Sequence, residues 1–215
     1  QGCHNLTTIE VDPDNADYTS EGGVLFNKNK TTLLIYPRGR SGAYTIPESV
    51  TSIEPFAFYD CISLTSVNIP EGVTTIGSYA FDGCSSLTSI TIPESVTSIN
   101  DYTFQSCYAL AEVYNYSNVT TNLPSYAKVI YNANDLKDGK PATRITVVDN
   151  VQYYNDFIAL APAVARDTLT EVTLDSRTTE INQEAFSDCS NLTSITIPDS
   201  VTSIGEYAFS GCSSL

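Results

Sequence analysis

Two stretches, Cys84-Ser-Ser-Leu-Thr-Ser-Ile-Thr-Ile-Pro-Glu-Ser-Val-Thr-Ser-Ile-Asn-Asp-Tyr-Thr-Phe104 and Cys189-Ser-Asn-Leu-Thr-Ser-Ile-Thr-Ile-Pro-Asp-Ser-Val-Thr-Ser-Ile-Gly-Glu-Tyr-Ala-Phe209, agree at nearly every position although they lie in different halves of the chain. All six cysteines head this pattern: Cys3, Cys61, Cys84, Cys107, Cys189 and Cys212 each stand three residues before a leucine, namely Leu6, Leu64, Leu87, Leu110, Leu192 and Leu215. The steps Cys61 to Cys84, Cys84 to Cys107 and Cys189 to Cys212 are each 23 residues. A unit of that length cannot bury an apolar face alone, so successive coils must stack on a shared core as a solenoid.

Each unit carries its own strand signal. Val67 and Ile69, Ile90 and Ile92, and Ile195 and Ile197 alternate with small polar residues, the period of a strand with one buried face. Pro70, Pro93 and Pro198 close these strands, because a residue without an N–H cannot continue the ladder. Further on, Val73 and Ile76, Val96 and Ile99, and Val201 and Ile204, matched by Val50 and Ile53, are expected to line the opposite wall. Ala57-Phe58, Ala80-Phe81, Ala185-Phe186 and Ala208-Phe209, with Thr103-Phe104 as a variant, precede the next cysteine and predict one stacked ladder from five of the eight phenylalanines. Burying one such ring is worth roughly 1.5 to 3 kcal/mol. These aromatics read as core packing, and no cofactor box stands among them.

An even cysteine count invites a disulfide reading. Stacked coils lie about 4.7 to 4.9 Å apart, but translationally related Cβ vectors run parallel and do not converge to the roughly 3.8 Å that a disulfide prefers. Metal binding has no support either: there is no Cys-x-x-Cys, His4 is the sole histidine, and one ligand per coil builds no tetrahedron. A ladder of buried free thiols is the expectation.

Two departures break the register of what otherwise reads as a single solenoid over 1–215. Leu6 to Leu64 is 58 residues, two periods with a surplus, and the surplus reads as a hairpin-type insert at about 12–40. There Val24-Leu-Phe26 and Leu33-Leu-Ile-Tyr36 flank the polar turn Asn27-Lys-Asn-Lys30. Asp12, Asp14 and Asp17 lack the glycine and terminal glutamate of an EF-hand loop and read as a solvated turn. The second departure gives irregular coils at about 114–167, in which Lys128–Tyr131 and Ile145–Val148 read as strands and Val151–Pro162 echoes the first hairpin. Tyr102, Tyr108, Tyr114, Tyr116, Tyr126, Tyr131, Tyr153 and Tyr154 gather here, a residue type that packs irregular cores and also anchors interfaces.

Ten basic residues against 25 acidic ones give a net charge of −15. Such a surface repels phosphate backbones and anionic head groups, which argues against nucleic acid. No apolar run approaches the roughly 18 to 20 residues of a membrane span, so membrane insertion is not expected. Gln1 is no initiator and Leu215 opens a new strand, so the chain reads as a fragment of a longer repeat protein.

The consensus Cys-x-x-Leu-x-x-Ile-x-Ile-Pro-x-x-Val-x-x-Ile-x-x-x-Ala-Phe resembles the BspA-like class of bacterial leucine-rich repeats, and so does the variant coil at Gly23-Val-Leu-Phe-Asn-Lys-Asn-Lys-Thr-Thr-Leu33. The likeness covers most of 1–113 and 165–215. It implies a leucine-rich-repeat solenoid, with short parallel strands on the concave face and short strands, turns and helical turns on the convex side, interrupted by inserted hairpins. It also implies a cell-surface or secreted protein with an adhesive role toward host or bacterial surface proteins, and neither catalytic residue nor cofactor.

Three functions are weighed. A protein-binding, adhesin-like module, with a protein or a glycan as partner, would use strand positions two and four after the repeat leucine. These are Ser66 and Asn68, Ser89 and Thr91, Glu112 and Tyr114, Glu171 and Thr173, and Ser194 and Thr196, with Tyr116 beside them. Tyr114 and Tyr116 are the candidate anchors, since interfaces depend on a few aromatic or Arg side chains. The alternative is a structural spacer that displays other domains and has no ligand of its own. An enzyme has the least support, because one histidine near the N-terminal end offers no nucleophile–base pair, and Glu180 with Glu184 looks like ordinary surface charge.

Overall fold

Alternation of Ile90 and Ile92 with Ser89 and Thr91 puts both isoleucines on one side of a strand, and that side is the core: each is at most 1% exposed. The structure, a computed structural model, describes residues 3–124, 127–134, 136, 139, 140, 143–155 and 157–215. Tyr126 and Gln1 lie outside them. A first array of strands runs β1 (Tyr18–Glu21), β2 (Val24–Asn27), β3 (Thr32–Ile35), β4 (Gly42–Thr45), β5 (Ser52–Ile53), β6 (Leu64–Asn68), β7 (Thr75–Ile76), β8 (Ser89–Ile92), β9 (Ser98–Ile99), β10 (Glu112–Asn115) and β11 (Val129–Tyr131). A second runs β12 (Ile145–Val148), β13 (Val151–Tyr154), β14 (Ile158–Pro162), β15 (Glu171–Thr173), β16 (Glu180–Ile181), β17 (Ser194–Thr196) and β18 (Ser203–Ile204).

The coils climb by parallel pairing on two walls, as a leucine-rich-repeat solenoid does. On one, β4 pairs with β6, and β8, β10 and β11 continue beside it. On the other, β3, β5, β7 and β9 keep one register, so Ile53, Ile76 and Ile99 stack directly. Antiparallel β1, β2 and β3 feed that second wall, which is the hairpin foreseen around Asn27–Lys30. The second array repeats the plan: antiparallel β12, β13 and β14 lead into parallel β14, β16 and β18, with β15 on β17 opposite. Among the described residues no strand of one array pairs with a strand of the other. The single helical element among them is a 3₁₀ turn at Arg166–Thr168, and no helix is long and apolar enough to cross a membrane.

Hydroxyl side chains tie one coil to the next. Thr74 Oγ1 donates to Thr51 O and Thr97 Oγ1 to Thr74 O, each at 3.2 Å, so threonine at this position adds a side-chain bond to the coil-to-coil stacking. The thiols act alike inside the core: Cys84 Sγ donates to Phe58 O at 3.1 Å and Cys212 Sγ to Phe186 O at 3.1 Å. All six cysteines are free, four of them buried. The rings form two ladders where one was expected. Tyr36, Phe58, Phe81 and Phe104 stack with centroids 5.1, 4.8 and 5.7 Å apart, and Phe186 stacks on Phe209 at 5.8 Å. The break falls where the chain leaves the first array. Ile197 and Ile204, expected inside, are 38% and 52% exposed, since they stand on the outermost coil of the second array.

The arrays dock through buried polar groups. Arg166 is 1% exposed; its Nε donates to Ser86 Oγ at 3.1 Å and its Nη2 to Ser85 O at 3.1 Å, while Nη1 reaches Ser187 O. Gln152 Nε2 donates to Ser86 O at 3.3 Å, and Gln152 Oε1 accepts from Thr88 Oγ1 at 3.0 Å. Ala109 and Ala111 of the first array share a small apolar cluster with Tyr154, Leu160 and Ala161 of the second hairpin. At the N-terminal insert, Asp14 N donates to Asp12 Oδ1 at 2.9 Å on the exposed surface, so the aspartate run expected as a solvated turn is also bonded to its own backbone.

Candidate binding surface

Pairing register brings the candidate face together as two separate strips. In the first array Glu112 lies beside Ser89 and Tyr114 beside Thr91, while Ser66 and Asn68 follow on β6. In the second, Glu171 lies beside Ser194 and Thr173 beside Thr196. The four residues of the second strip are all exposed. In the first, Asn68 is exposed and Ser66, Ser89, Thr91 and Tyr116 are half-buried.

Glu112 and Tyr114 correct the sequence reading. They point away from the core, as the alternation with buried Val113 requires, yet both are fully buried, because residues between the arrays lie over them. Arg144 N donates to Glu112 Oε1 at 2.6 Å and Thr143 Oγ1 to Glu112 Oε2 at 2.8 Å. Tyr114 OH donates to Glu112 Oε2 at 2.7 Å. Lys140 places its ammonium 4.0 Å from the centre of the Tyr114 ring and within 3.4 Å of Thr91 Oγ1. Tyr131, one coil on, stacks on that ring at 5.2 Å. Burial, followed by the Glu112 carboxylate that its hydroxyl bonds, pushes the Tyr114 phenol upward. Tyr114 is therefore a buried support and no free anchor. Tyr153 and Tyr154 are likewise buried, in keeping with tyrosine as packing for irregular coils.

Sequence reading did not see a further row of aromatics, of which it noted Tyr102 alone. Phe56, Tyr79, Tyr102 and Tyr207 stand directly before Ala57, Ala80, Thr103 and Ala208. All four take left-handed backbone, with φ of 61°, 57°, 58° and 57°. Phe56, Tyr102 and Tyr207 are 54%, 60% and 65% exposed. Aligning the units on Ala-Phe and reading one residue back is the signal that exposes this row. Arg166 carried no signal, because its partners are remote in sequence. Among the described residues, no group of three or more His, Cys, Asp or Glu side chains converges as a metal site would require.

Comparison with known proteins agrees with this geometry. No curated protein matches the chain. Among solved structures, a leucine-rich repeat protein from Eubacterium ventriosum is similar with a TM-score of 0.53 at 30% identity, over 99% of this chain and 54% of that one. The chain thus spans about half the length of that protein. The pneumococcal vaccine antigen PcpA is similar at 20% identity over 93% of this chain and 50% of its own, with a TM-score of 0.43. A leucine rich cell surface protein from Faecalibacterium prausnitzii is similar at 23% identity over 94% and 73%, with a TM-score of 0.32. The family described as BspA type leucine rich repeat region matches residues 41–156 and 163–215, in six copies. With its 23-residue coils, its thiol and ring ladders and that match, the chain belongs to the BspA-type leucine-rich-repeat family.

Proposed function

We propose that this chain is a non-catalytic, adhesin-like binding module of a cell-surface or secreted protein, and that its open strand strip, Glu171, Thr173, Ser194 and Thr196, receives an extended segment of a partner protein. Leucine-rich-repeat folds generally bind proteins and usually carry no catalytic chemistry, and the concave strand sheet of a solenoid is where extended partners dock. One observation carries the reading. One end of the equivalent strip of the first array already holds polypeptide, since Lys140, Thr143 and Arg144 lie on Thr91, Glu112 and Tyr114 through a backbone N–H, a hydroxyl and an ammonium. The second strip offers the same small hydroxyls and a carboxylate, Glu171, and is exposed, with no covering segment among the described residues.

The test is a binding screen of the chain against extracellular-matrix proteins and glycans, run beside the double variant Thr173→Arg, Thr196→Arg. Both positions are exposed, so the fold is expected to be retained. A partner bound by the natural chain and at least about tenfold more weakly by the variant, near 1.4 kcal/mol, is the expected result. Equal binding by both would remove the strip from the interface. A glycan as the captured partner would replace the protein segment with a saccharide on the same strip. The spacer reading has one observation of its own: the four open positions include no aromatic or arginine anchor. It predicts a screen without a partner.

A further inference from the structure

We propose that the turn edge of the first array is a second interaction surface, an aromatic ridge with acidic flanks that docks a cationic segment of another polypeptide. Phe56, Tyr79 and Tyr102 stack along it with centroids 5.1 Å apart at each step and interplanar angles of 2° and 19°. More than half of the Phe56 and Tyr102 surface stays in solvent. An exposed run of rings adds little to the core, and contiguous apolar patches on a protein surface mark interaction sites.

The backbone makes these rings costly. All three take left-handed φ, a region that bulky side chains avoid and glycine or asparagine enters freely. The repeat has glycine at its disposal, since the other left-handed turn of the coil uses Gly83 and Gly211. At the ridge position it never does: Phe56, Tyr79, Tyr102, Glu184 and Tyr207 stand there. Turn geometry therefore accounts for the φ and not for the rings.

Charge selects the partner. Between residues 51 and 106 the chain has six carboxylates, Glu54, Asp60, Glu71, Asp82, Glu94 and Asp101, and no Lys, Arg or His. Glu54 and Asp101 flank the outer rings in sequence, and Asp82 follows Tyr79. One guanidinium already sits at the end of the ridge. Arg38 lies 4.6 Å from the centre of Tyr59 and bonds Asp60 at 3.3 Å, and Tyr59 meets Phe56 edge-on at 5.7 Å. Stacked rings turn their edges outward, so the methylenes of a partner's Arg or Lys can lie along the ridge while the charged head reaches a carboxylate.

The surface shares no residue with the strand strip and does not rest on it. The test titrates a fluorescein-labelled peptide of repeated Arg-Gly units into the chain and follows anisotropy. The triple variant Phe56→Asn, Tyr79→Asn, Tyr102→Asn keeps the net charge and places at each turn a residue that accepts left-handed backbone. Expected are saturable binding by the natural chain, at least tenfold weaker binding by the triple variant, and unchanged binding by Tyr207→Asn, whose ring is exposed but stands apart from the ridge. Equal binding by the triple variant would assign the interaction to net charge alone, and a natural chain that does not bind would equally overturn the proposal. If the triple variant shows no cooperative melt, Tyr102→Asn alone decides, with a threefold loss in support and no loss against. Thr173→Arg, Thr196→Arg is expected to bind the peptide within twofold of the natural chain; loss of binding there would place the peptide on the strand strip and overturn the ridge.

Discussion

The inner regular coils place a thiol and a ring where neither has room to move. Phe81 is fully buried between Phe58 and Phe104, so its removal leaves a cavity lined by two rings that cannot both collapse into it. Phe81→Ala is expected to cost about 3 to 5 kcal/mol, read from the urea midpoint. An unchanged midpoint would mean that the ladder is not the core. Burial also raises the thiols: Cys84 is pushed well up, and Cys189 is pushed up to about 11. A thiol whose folded pKa lies above its unfolded value contributes stability that is present below about pH 8.5 and lost as pH rises through the folded value. The urea midpoint should therefore fall between about pH 8.5 and 11, and at pH 8 a thiol reagent should label exposed Cys3 ahead of buried Cys61, Cys84, Cys107 and Cys189. Tyr114→Ser belongs at this scale too. It withdraws a buried ring and a donor from Glu112, and is expected to cost about 3 kcal/mol.

Among elements, local pattern was legible and docking was not. Val24-Leu-Phe26, a polar turn and Leu33–Tyr36 announce a hairpin because both periodicity and turn chemistry are local, and Val151–Pro162 repeats the device. The alternation around Val113 told which side of β10 Glu112 and Tyr114 take. It could not tell that Lys140, Thr143 and Arg144 cover that side, because nothing in a strand's own residues encodes what lies above it. Arg166 is the extreme case, bonding Ser86 and Ile62 across 80 and 104 residues of chain. Among the described residues no carboxylate bonds its guanidinium, whose charge is instead spread over carbonyls and hydroxyls, and burial lowers its pKa. Arg166→Leu keeps bulk but strands the carbonyls of Ile62, Ser85 and Ser187. It should cost about 3 kcal/mol and loosen the arrays, seen as a larger radius of gyration by small-angle scattering. An unchanged radius and midpoint would show that the seam holds without it.

At the scale of the whole molecule, one repeat serves twice and leaves its surfaces in different states. The first strand strip is covered by the chain itself at Thr91, Glu112 and Tyr114, the second is open, and the turn edge of the first array carries an aromatic row in a chain of net charge −15. Fold class followed from the 23-residue period, because stacking identical units has few solutions. Which strip stays open followed only from how the arrays meet. Hydroxyl-radical footprinting of the native chain, with oxidation read residue by residue by mass spectrometry, tests that distribution in a single measurement. Rapid modification of Phe56, Tyr102 and Tyr207 is expected, with Phe81, Tyr114 and Tyr153 protected until urea unfolds the chain. Oxidation of Tyr114 as fast as Tyr102 in the folded protein would contradict the covered strip and, with it, the distinction between the two arrays.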